Sequence, residues 1–98
     1  MVIRFSAVLL MMASTVCAAF DAETEDYQDC VLTHQKGAKT ERSAFYIQQS
    51  CRKYFLEGNY LFTAEKRYHR CIIDKMPGVE TEAATSQVLS ICNEKSQD

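Results

Sequence analysis

The 98-residue sequence predicts an all-α fold of two tandem helical hairpins, four short helices closed by disulfides after a cleaved signal peptide. Two observations predict it. The stretches 30–51 and 71–92 both begin and end with cysteine and hold twenty residues between them. Within each stretch apolar residues recur at spacings of three and four, the period of a helix with one buried face, and a glycine interrupts the pattern.

The N-terminus is typical of a secretory signal peptide. Arg4 precedes an apolar stretch, 5–16, that is followed by small residues. This stretch is too short to span a bilayer as a helix. We expect residues 1–19 to be removed, with cleavage after Ala18 as the alternative, and a secreted or periplasmic location for the mature chain.

The mature chain, residues 20–98, is predicted to be a single small helical domain without a transmembrane segment. The full sequence carries 11 Lys and Arg against 13 Asp and Glu, and this acidic balance argues against nucleic acid as a partner. A core of this size contributes only about 3–5 kcal/mol. Four cysteines remain after the leader is lost, and we expect them to form disulfides in an oxidising compartment.

An internal repeat organises the domain. Residues 27–55 and 68–96 align without gaps at an offset of 41 residues. Conservative pairs include Val31/Ile72 and Leu32/Ile73. A fixed period of this kind marks a repeated structural unit. The identical pairs are Tyr27/Tyr68, Cys30/Cys71, Gly37/Gly78, Thr40/Thr81, Glu41/Glu82 and Cys51/Cys92.

Copy one is predicted to form a helix, a turn and a second helix. The first helix carries Tyr27, Cys30 and Val31 on one face, and Gly37 ends it by adopting a positive φ. Thr40 is placed to cap the second helix. The apolar stripe of that helix is predicted to be Ala44, Ile47, Cys51 and Phe55.

Copy two follows the same plan after Gly58-Asn59, which separates the copies. Pro77-Gly78 is predicted to end its first helix, and Thr81 to cap its second. The stripe of the first helix is predicted to be Leu61, Ala64, Tyr68, Cys71 and Ile72. The stripe of the second is predicted to be Ala84, Val88 (or Leu89) and Cys92.

Four cysteines allow three pairings. In each copy the turn holds four or five residues, enough to bring the two cysteines level across a helical hairpin. This favours Cys30–Cys51 with Cys71–Cys92. The alternative is Cys51–Cys71 with Cys30–Cys92. In that pairing only Gly58-Asn59 would be available to bring Cys51 and Cys71 level. A closed loop of this size stabilises by about 3 kcal/mol.

Charge differs between the first helices of the two copies. The basic residues Lys66, Arg67 and Arg70 occupy the helix of copy two, and the helix of copy one is acidic without a compensating base. We interpret both as solvated faces, and the alternative is that the two helices lie side by side. The acidic residues are Asp21, Glu23, Glu25, Asp26 and Asp29.

Three short patterns carry a family resemblance: Cys30-Val31-Leu32, Lys36-Gly37-Ala38 and Cys51-Arg52-Lys53-Tyr54-Phe55. The stretch 27–55 resembles an uncharacterised family of small bacterial secreted or periplasmic proteins with four cysteines. Copy two departs from the pattern, since Pro77 stands where copy one has Lys36. The resemblance implies a location in the bacterial envelope and supplies no activity and no catalytic residue.

Enzymatic and metal-binding functions find little support in the sequence. It holds no G-x-S-x-G motif and no C-x-x-C pair, so we expect neither an enzyme nor a cofactor. Cys30 with His34 and His69 with Cys71 are close enough to consider as metal ligands. Structural zinc sites use two tight ligand pairs, and Cys51 and Cys92 have no histidine nearby in sequence, so we favour disulfides and expect no metal.

The junction between the copies carries the best candidate surface for a partner: the aromatic residues Tyr54, Phe55, Tyr60 and Phe62. We interpret them first as core packing, and their functional role would be to anchor a partner protein. The predicted function is therefore a non-enzymatic binding or cell-envelope accessory protein, with an envelope or extracellular protein as partner. The alternative is a periplasmic stress chaperone or small inhibitor, and a metal or thiol-redox module comes third. The sequence indicates no oligomeric state.

Overall fold

The computed structural model describes residues 21–97. Within that range all regular secondary structure is helical, and turns connect the helices. This confirms the all-α class and the four helices; the predicted signal peptide lies outside the described residues. None of the described helices combines the length and the hydropathy needed to cross a membrane. The helices are α1 (Ala22–Gln35), α2 (Glu41–Leu56), α3 (Thr63–Lys75) and α4 (Glu82–Ser96), with a 3₁₀ turn at Gly58–Tyr60 between α2 and α3.

Consecutive helices pack against each other, so that α2 and α3 are the inner helices and α1 and α4 the outer ones. The α1–α2 turn and the α3–α4 turn meet at one end of the molecule. There the backbone N–H of Gly78 donates to the carbonyl of Gly37 at 2.9 Å. The two hairpins are thereby joined through their turns as well as through the α2–α3 packing.

Each hairpin is closed by its own disulfide, which confirms the favoured pairing and excludes the alternative. Cys30 and Cys51 link α1 to α2 with their Cα atoms 5.8 Å apart. Cys71 and Cys92 link α3 to α4 at 5.5 Å. Both separations are normal for cystine, so the helices need no distortion to form the bonds.

Threonine caps begin both second helices, as predicted. The Thr40 hydroxyl accepts from the Ser43 backbone N–H at 3.0 Å, and the Thr81 hydroxyl accepts from the Ala84 N–H at 3.0 Å. Ser43 returns the bond by accepting from the Thr40 N–H, which completes a capping box. Such bonds satisfy backbone donors that the first helical turn leaves without a partner.

The two turn glycines are required for different reasons. Gly78 has a φ of +88°, which confirms the prediction for copy two. The same prediction for Gly37 is wrong, because among the described glycines only Gly78 has a positive φ. A Cβ at position 37 would lie 3.3 Å from the Cβ of Pro77. Gly37 therefore provides room for the neighbouring hairpin rather than an unusual backbone angle.

The core is formed chiefly by the inner helices and the cystines. Leu32 is 71% exposed, whereas Ile73, its equivalent in the repeat, is 1% exposed. The reason is position, since α1 packs on one neighbouring helix and α3 packs on two. The fully buried apolar side chains are Ile47, Ile72, Ile73, Met76, Cys51 and Cys92, with Cys30 nearly so.

The predicted apolar stripes are largely correct. Tyr68, Cys71 and Ile72 of α3 face the core, but Ala64 is exposed and Leu61 precedes the helix. The apolar run extends further toward the C-terminus of α3 than predicted, because Ile73 and Met76 are buried there. In α4 both Val88 and Leu89 pack on the core.

Candidate functional site

The structure divides the predicted aromatic cluster into two pairs. Tyr54 and Phe55, at the end of α2, are partly buried, pack against the core and contact each other edge to face at 5.0 Å. Tyr60 and Phe62 lie in the connection to α3 and are 87% and 80% exposed. The first pair is therefore part of the fold. The second pair, which we call the junction pair, presents two aromatic rings to solvent.

Phe62 occupies a helix-capping position that it cannot serve. It is the N-cap of α3. At the 41-residue offset of the repeat its equivalent is Asp21, the N-cap of α1. The Asp21 carboxylate accepts from the Thr24 N–H at 2.9 Å, and hydrogen bonds from Thr24 lower the pKa of that carboxyl. A phenyl ring has no acceptor for this bond. A large apolar side chain thus stands at an exposed position where local stability favours a small polar one.

The connection that carries the junction pair is fixed by hydrogen bonds. The Tyr60 N–H donates to the Glu57 carbonyl at 3.0 Å, and the Leu61 N–H donates to the Gly58 carbonyl at 3.3 Å. The Glu57 side chain pairs with Lys53 at 3.1 Å and lies 3.8 Å from Arg52. The exposed rings therefore stand on an ordered turn, which lowers the entropy lost when a partner binds.

A groove with basic walls runs along α3, the helix that follows the junction pair. It has a volume of about 520 Å³ and lies between Tyr54 and the exposed side of α3; we call it the α3 groove. Lys66 Nζ lies 5.8 Å from the centre of the Tyr54 ring, and Arg70 Cζ lies 5.7 Å from it. These distances are typical of cation–π contacts. Its charged lining residues are Lys66, Arg67, Arg70, Asp74 and Lys75.

The acidic face of α1 borders the same region. Asp26 and Asp29 line a crevice together with Arg70, and Glu23 lines a smaller one with Lys66. All three carboxylates are exposed, which confirms that the acidic face of α1 is solvated. The basic groove therefore has a negatively charged margin on its α1 side.

A partly buried hydrogen bond joins the two inner helices. Ser50 of α2 and a ring nitrogen of His69 of α3 are 3.0 Å apart. Burial lowers the pKa of His69, and Lys53 lowers it further, against the opposing effects of Glu65 and Glu57. Ser50 is only 1% exposed, so this hydrogen bond holds its hydroxyl inside the α2–α3 interface.

One histidine, His34, lies beside a cystine. Its ring nitrogen Nδ1 lies 2.9 Å from the Cys30 carbonyl, and ligand atoms of Cys30, His34 and Cys51 all lie within 4.8 Å of one another. Cys51 has no histidine nearby in sequence, but His34 lies close to it in the structure because the hairpin brings α1 alongside α2. Both sulfurs are bonded in the cystine, so this cluster lacks the thiolates that bind metals.

Sequence reasoning missed the α3 groove, although the signal was present. Lys66 and Arg70 are four residues apart, as are Thr63 and Arg67, and such pairs share a helix face. The sequence did not indicate that Tyr54, which belongs to α2, lines the same groove. Its role as the wall beneath two cations follows only from the α2–α3 packing.

Four helices joined by two cystines define a small disulfide-bonded helical protein whose exposed features include an aromatic pair and a basic groove. The model of the family described as "four-cysteine protein VF_A0006-like" matches residues 7–96. The chain belongs to this family, in agreement with the resemblance found in its first repeat. No curated protein and no solved structure matches the chain.

Proposed function

We propose that this protein is a non-enzymatic binding protein of the cell envelope that docks a protein partner through the junction pair. The observation that carries the proposal is the exposure of Tyr60 and Phe62, at 87% and 80%, on an ordered turn. Aromatic side chains are frequent anchors of protein interfaces because they bury a large area with few rotatable bonds. Phe62 adds to the argument, since it holds a capping position that favours a different residue.

The scaffold around the junction pair supports this role. The helices on either side of it are stapled, α2 to α1 through Cys51 and α3 to α4 through Cys71. A surface held between two cystines changes little on binding, which reduces the entropic cost of association. In this proposal Tyr54 and Phe55 support the surface from the core side.

A capture experiment with matched variants tests the proposal. The variant Y60S/F62S is compared with L32S/F45S, which removes two other exposed apolar side chains, 71% and 55% exposed, from helix surfaces distant in sequence. Immobilised Y60S/F62S is expected to lose a periplasmic protein that the wild type and L32S/F45S retain. Equal retention by all three proteins would refute the proposal, and unchanged denaturation midpoints would show that each variant is folded.

Export to an oxidising compartment is part of the same proposal. Two formed cystines and the absence of a membrane-spanning helix among residues 21–97 are compatible with a secreted or periplasmic protein. The intact mass of the exported protein, before and after reduction, tests it. We expect a chain that begins at Phe20 and contains two disulfides; retention of residues 1–19 or free thiols would contradict this.

A second candidate function is a chaperone or inhibitor that is activated by acid. It is favoured by His69, a half-buried group of lowered pKa between the inner helices, because protonation there opposes the α2–α3 packing. Binding of a hydrophobic dye as the pH falls tests it. Dye binding that begins as the pH falls below 6.5 in the wild type and not in H69Q would support this function, and no binding until carboxylates titrate would refute it.

A further inference from the structure

We propose that the α3 groove binds an acidic segment of a polypeptide in extended conformation. The inference rests on the proposed function, because it names the class of protein that the junction pair helps to dock. The lining of the groove includes Thr63, the residue that follows Phe62, so the groove starts one residue along the chain from the aromatic pair.

The sign of the charge in the groove is opposite to that of the chain. The chain has a formal net charge of −2, whereas the groove collects four cationic side chains. Among the described residues that line it, Asp74 is the single carboxylate, and it lies 3.6 Å from Arg70 at the far end from the junction pair. A concave surface with this excess of positive charge attracts anionic groups.

The spacing of the cations fits an extended peptide. Lys66 and Arg70 are four residues apart on α3, and Arg67 and Lys75 are eight apart. A rise of 1.5 Å per residue places the first pair about 6 Å apart along the helix and the second pair about 12 Å apart. Alternate residues of an extended chain are about 6.5–7 Å apart. Carboxylates at every second position of a bound strand can therefore meet successive cations.

Tyr54 prepares two of these cations for binding. The ring holds Lys66 and Arg70 within 5.8 Å of its centre. Long basic side chains normally lose considerable rotational freedom when they pair with an anion. Contact with the ring restricts that freedom in advance, so a bound carboxylate orders the two side chains at a lower entropic cost.

The margin of the groove favours a single peptide strand over a broad anionic surface. Asp26 and Asp29 share a crevice with Arg70, and Glu23 shares one with Lys66. A lipid headgroup layer or a nucleic-acid backbone pressed onto α3 would meet these exposed carboxylates as well as the cations. One extended strand can lie against α3 without covering α1.

Fluorescence anisotropy with a labelled peptide tests the inference. The probe is an eight-residue peptide of alternating Glu and Ser, with the Gln–Ser peptide as the uncharged control. We expect the disulfide-intact protein to bind the Glu peptide, more weakly as salt is raised, and not the Gln peptide. K66E/R70E is expected to reduce affinity on the order of tenfold or more, whereas K36E/K39E, the same charge change in the α1–α2 turn, should change it less than about twofold.

The outcomes separate this inference from the proposed function. Absence of peptide binding, an equal effect of the two charge-reversal variants, or tighter binding of phosphatidylglycerol vesicles or heparin than of the peptide would overturn the inference. Any of these results together with capture that still depends on Tyr60 and Phe62 would leave the proposed function standing. Peptide binding that requires Lys66 and Arg70, with capture indifferent to Y60S/F62S, would support the groove and refute the junction pair. If K66E/R70E unfolds, K66Q/R70Q provides the same comparison.

Discussion

The two hairpins share one sequence pattern, but they differ in which of their two helices is buried. Hairpin one places its second helix, α2, inside the domain, and hairpin two places its first helix, α3, inside. Equivalent positions of the repeat therefore meet different surroundings, as Leu32 and Ile73 show. The duplication specifies two disulfide-closed hairpins. The order in which the helices pack determines which helix of each hairpin is buried.

The features that we propose for binding also distinguish the first helices of the two hairpins. Copy one begins α1 with an aspartate cap, and copy two begins α3 with an exposed phenylalanine. The first helix of copy one is acidic, and that of copy two lines a basic groove. The first helix of copy one is thus closer to what stability alone favours, and the junction with the α3 helix provides most of the surface that we propose for binding.

The largest expected effect comes from truncating the two members of one repeat pair. Ile73→Ala removes a side chain that is 1% exposed and should cost about 2–5 kcal/mol of unfolding free energy. Leu32→Ala removes one that is 71% exposed and should change stability by less than about 0.5 kcal/mol. Urea denaturation of both variants measures the difference. Similar costs would show that α1 and α3 are equally buried, against the inner and outer arrangement.

Removal of each disulfide should distinguish the hairpins in a second way. Either C30A/C51A or C71A/C92A should cost about 3 kcal/mol through the loss of a closed loop. In α1 the single buried residue is Cys30, whereas α3 keeps Ile72 and Ile73 in the core. Hydrogen exchange of C30A/C51A should therefore show α1 unprotected and α2 to α4 protected.

The matching experiment on the second cystine provides the control. Exchange in C71A/C92A should rise in α4 more than in α3, because α3 remains packed on α2. Protection of α1 in C30A/C51A equal to that in the wild type would mean that α1 is held by packing, contrary to its low burial.

A smaller effect is expected at the turn glycines. Gly78→Ala forces a side chain onto a φ of +88° and should cost about 1–2 kcal/mol. Gly37→Ala meets the Cβ of Pro77 at 3.3 Å, a contact that a small shift of the turn can relieve, so its cost should be smaller. Denaturant midpoints of the two variants measure which substitution costs more stability. A greater loss at position 37 would mean that contact between the turns matters more than the backbone angle.

The smallest expected effect is a pH dependence at His69, whose equivalent in copy one is the exposed Gln28. The pKa of His69 is lowered in the folded protein from its usual 6.5, so the unfolded chain binds the proton first as the pH falls. Stability is therefore complete above pH 6.5 and declines below it, towards the pKa of the folded state. Denaturation at about pH 7.5 and about pH 5.5 should show a loss in the wild type that H69Q lacks. An equal loss in both would assign it to other groups.

Much of the fold could be predicted because it depends on local chemistry. Thr40 and Thr81 cap their helices through their own hydroxyls, and the spacing of the cysteines favours the pairing within each hairpin that the structure shows. The exposure of Leu32 could not be predicted, since it depends on which helix lies outside. The same holds for the role of Gly37, which is set by the other hairpin.

The candidate site was predictable in part for the same reason. Aromatic density marked the junction, but only the α2–α3 packing separates the buried Tyr54 and Phe55 from the exposed Tyr60 and Phe62. A capping position held by phenylalanine would have been visible from the repeat, given the start of α3. That start was the element boundary that periodicity placed least well.

The substitution Phe62→Asp tests the central claim most directly, because it restores the cap found in copy one and removes the exposed ring. A capping carboxylate should raise the unfolding free energy by about 1 kcal/mol. If Phe62 serves binding, the variant should be more stable than the wild type and should lose the captured partner. Full capture by this stabilised variant would contradict the assignment of the junction pair as the binding surface.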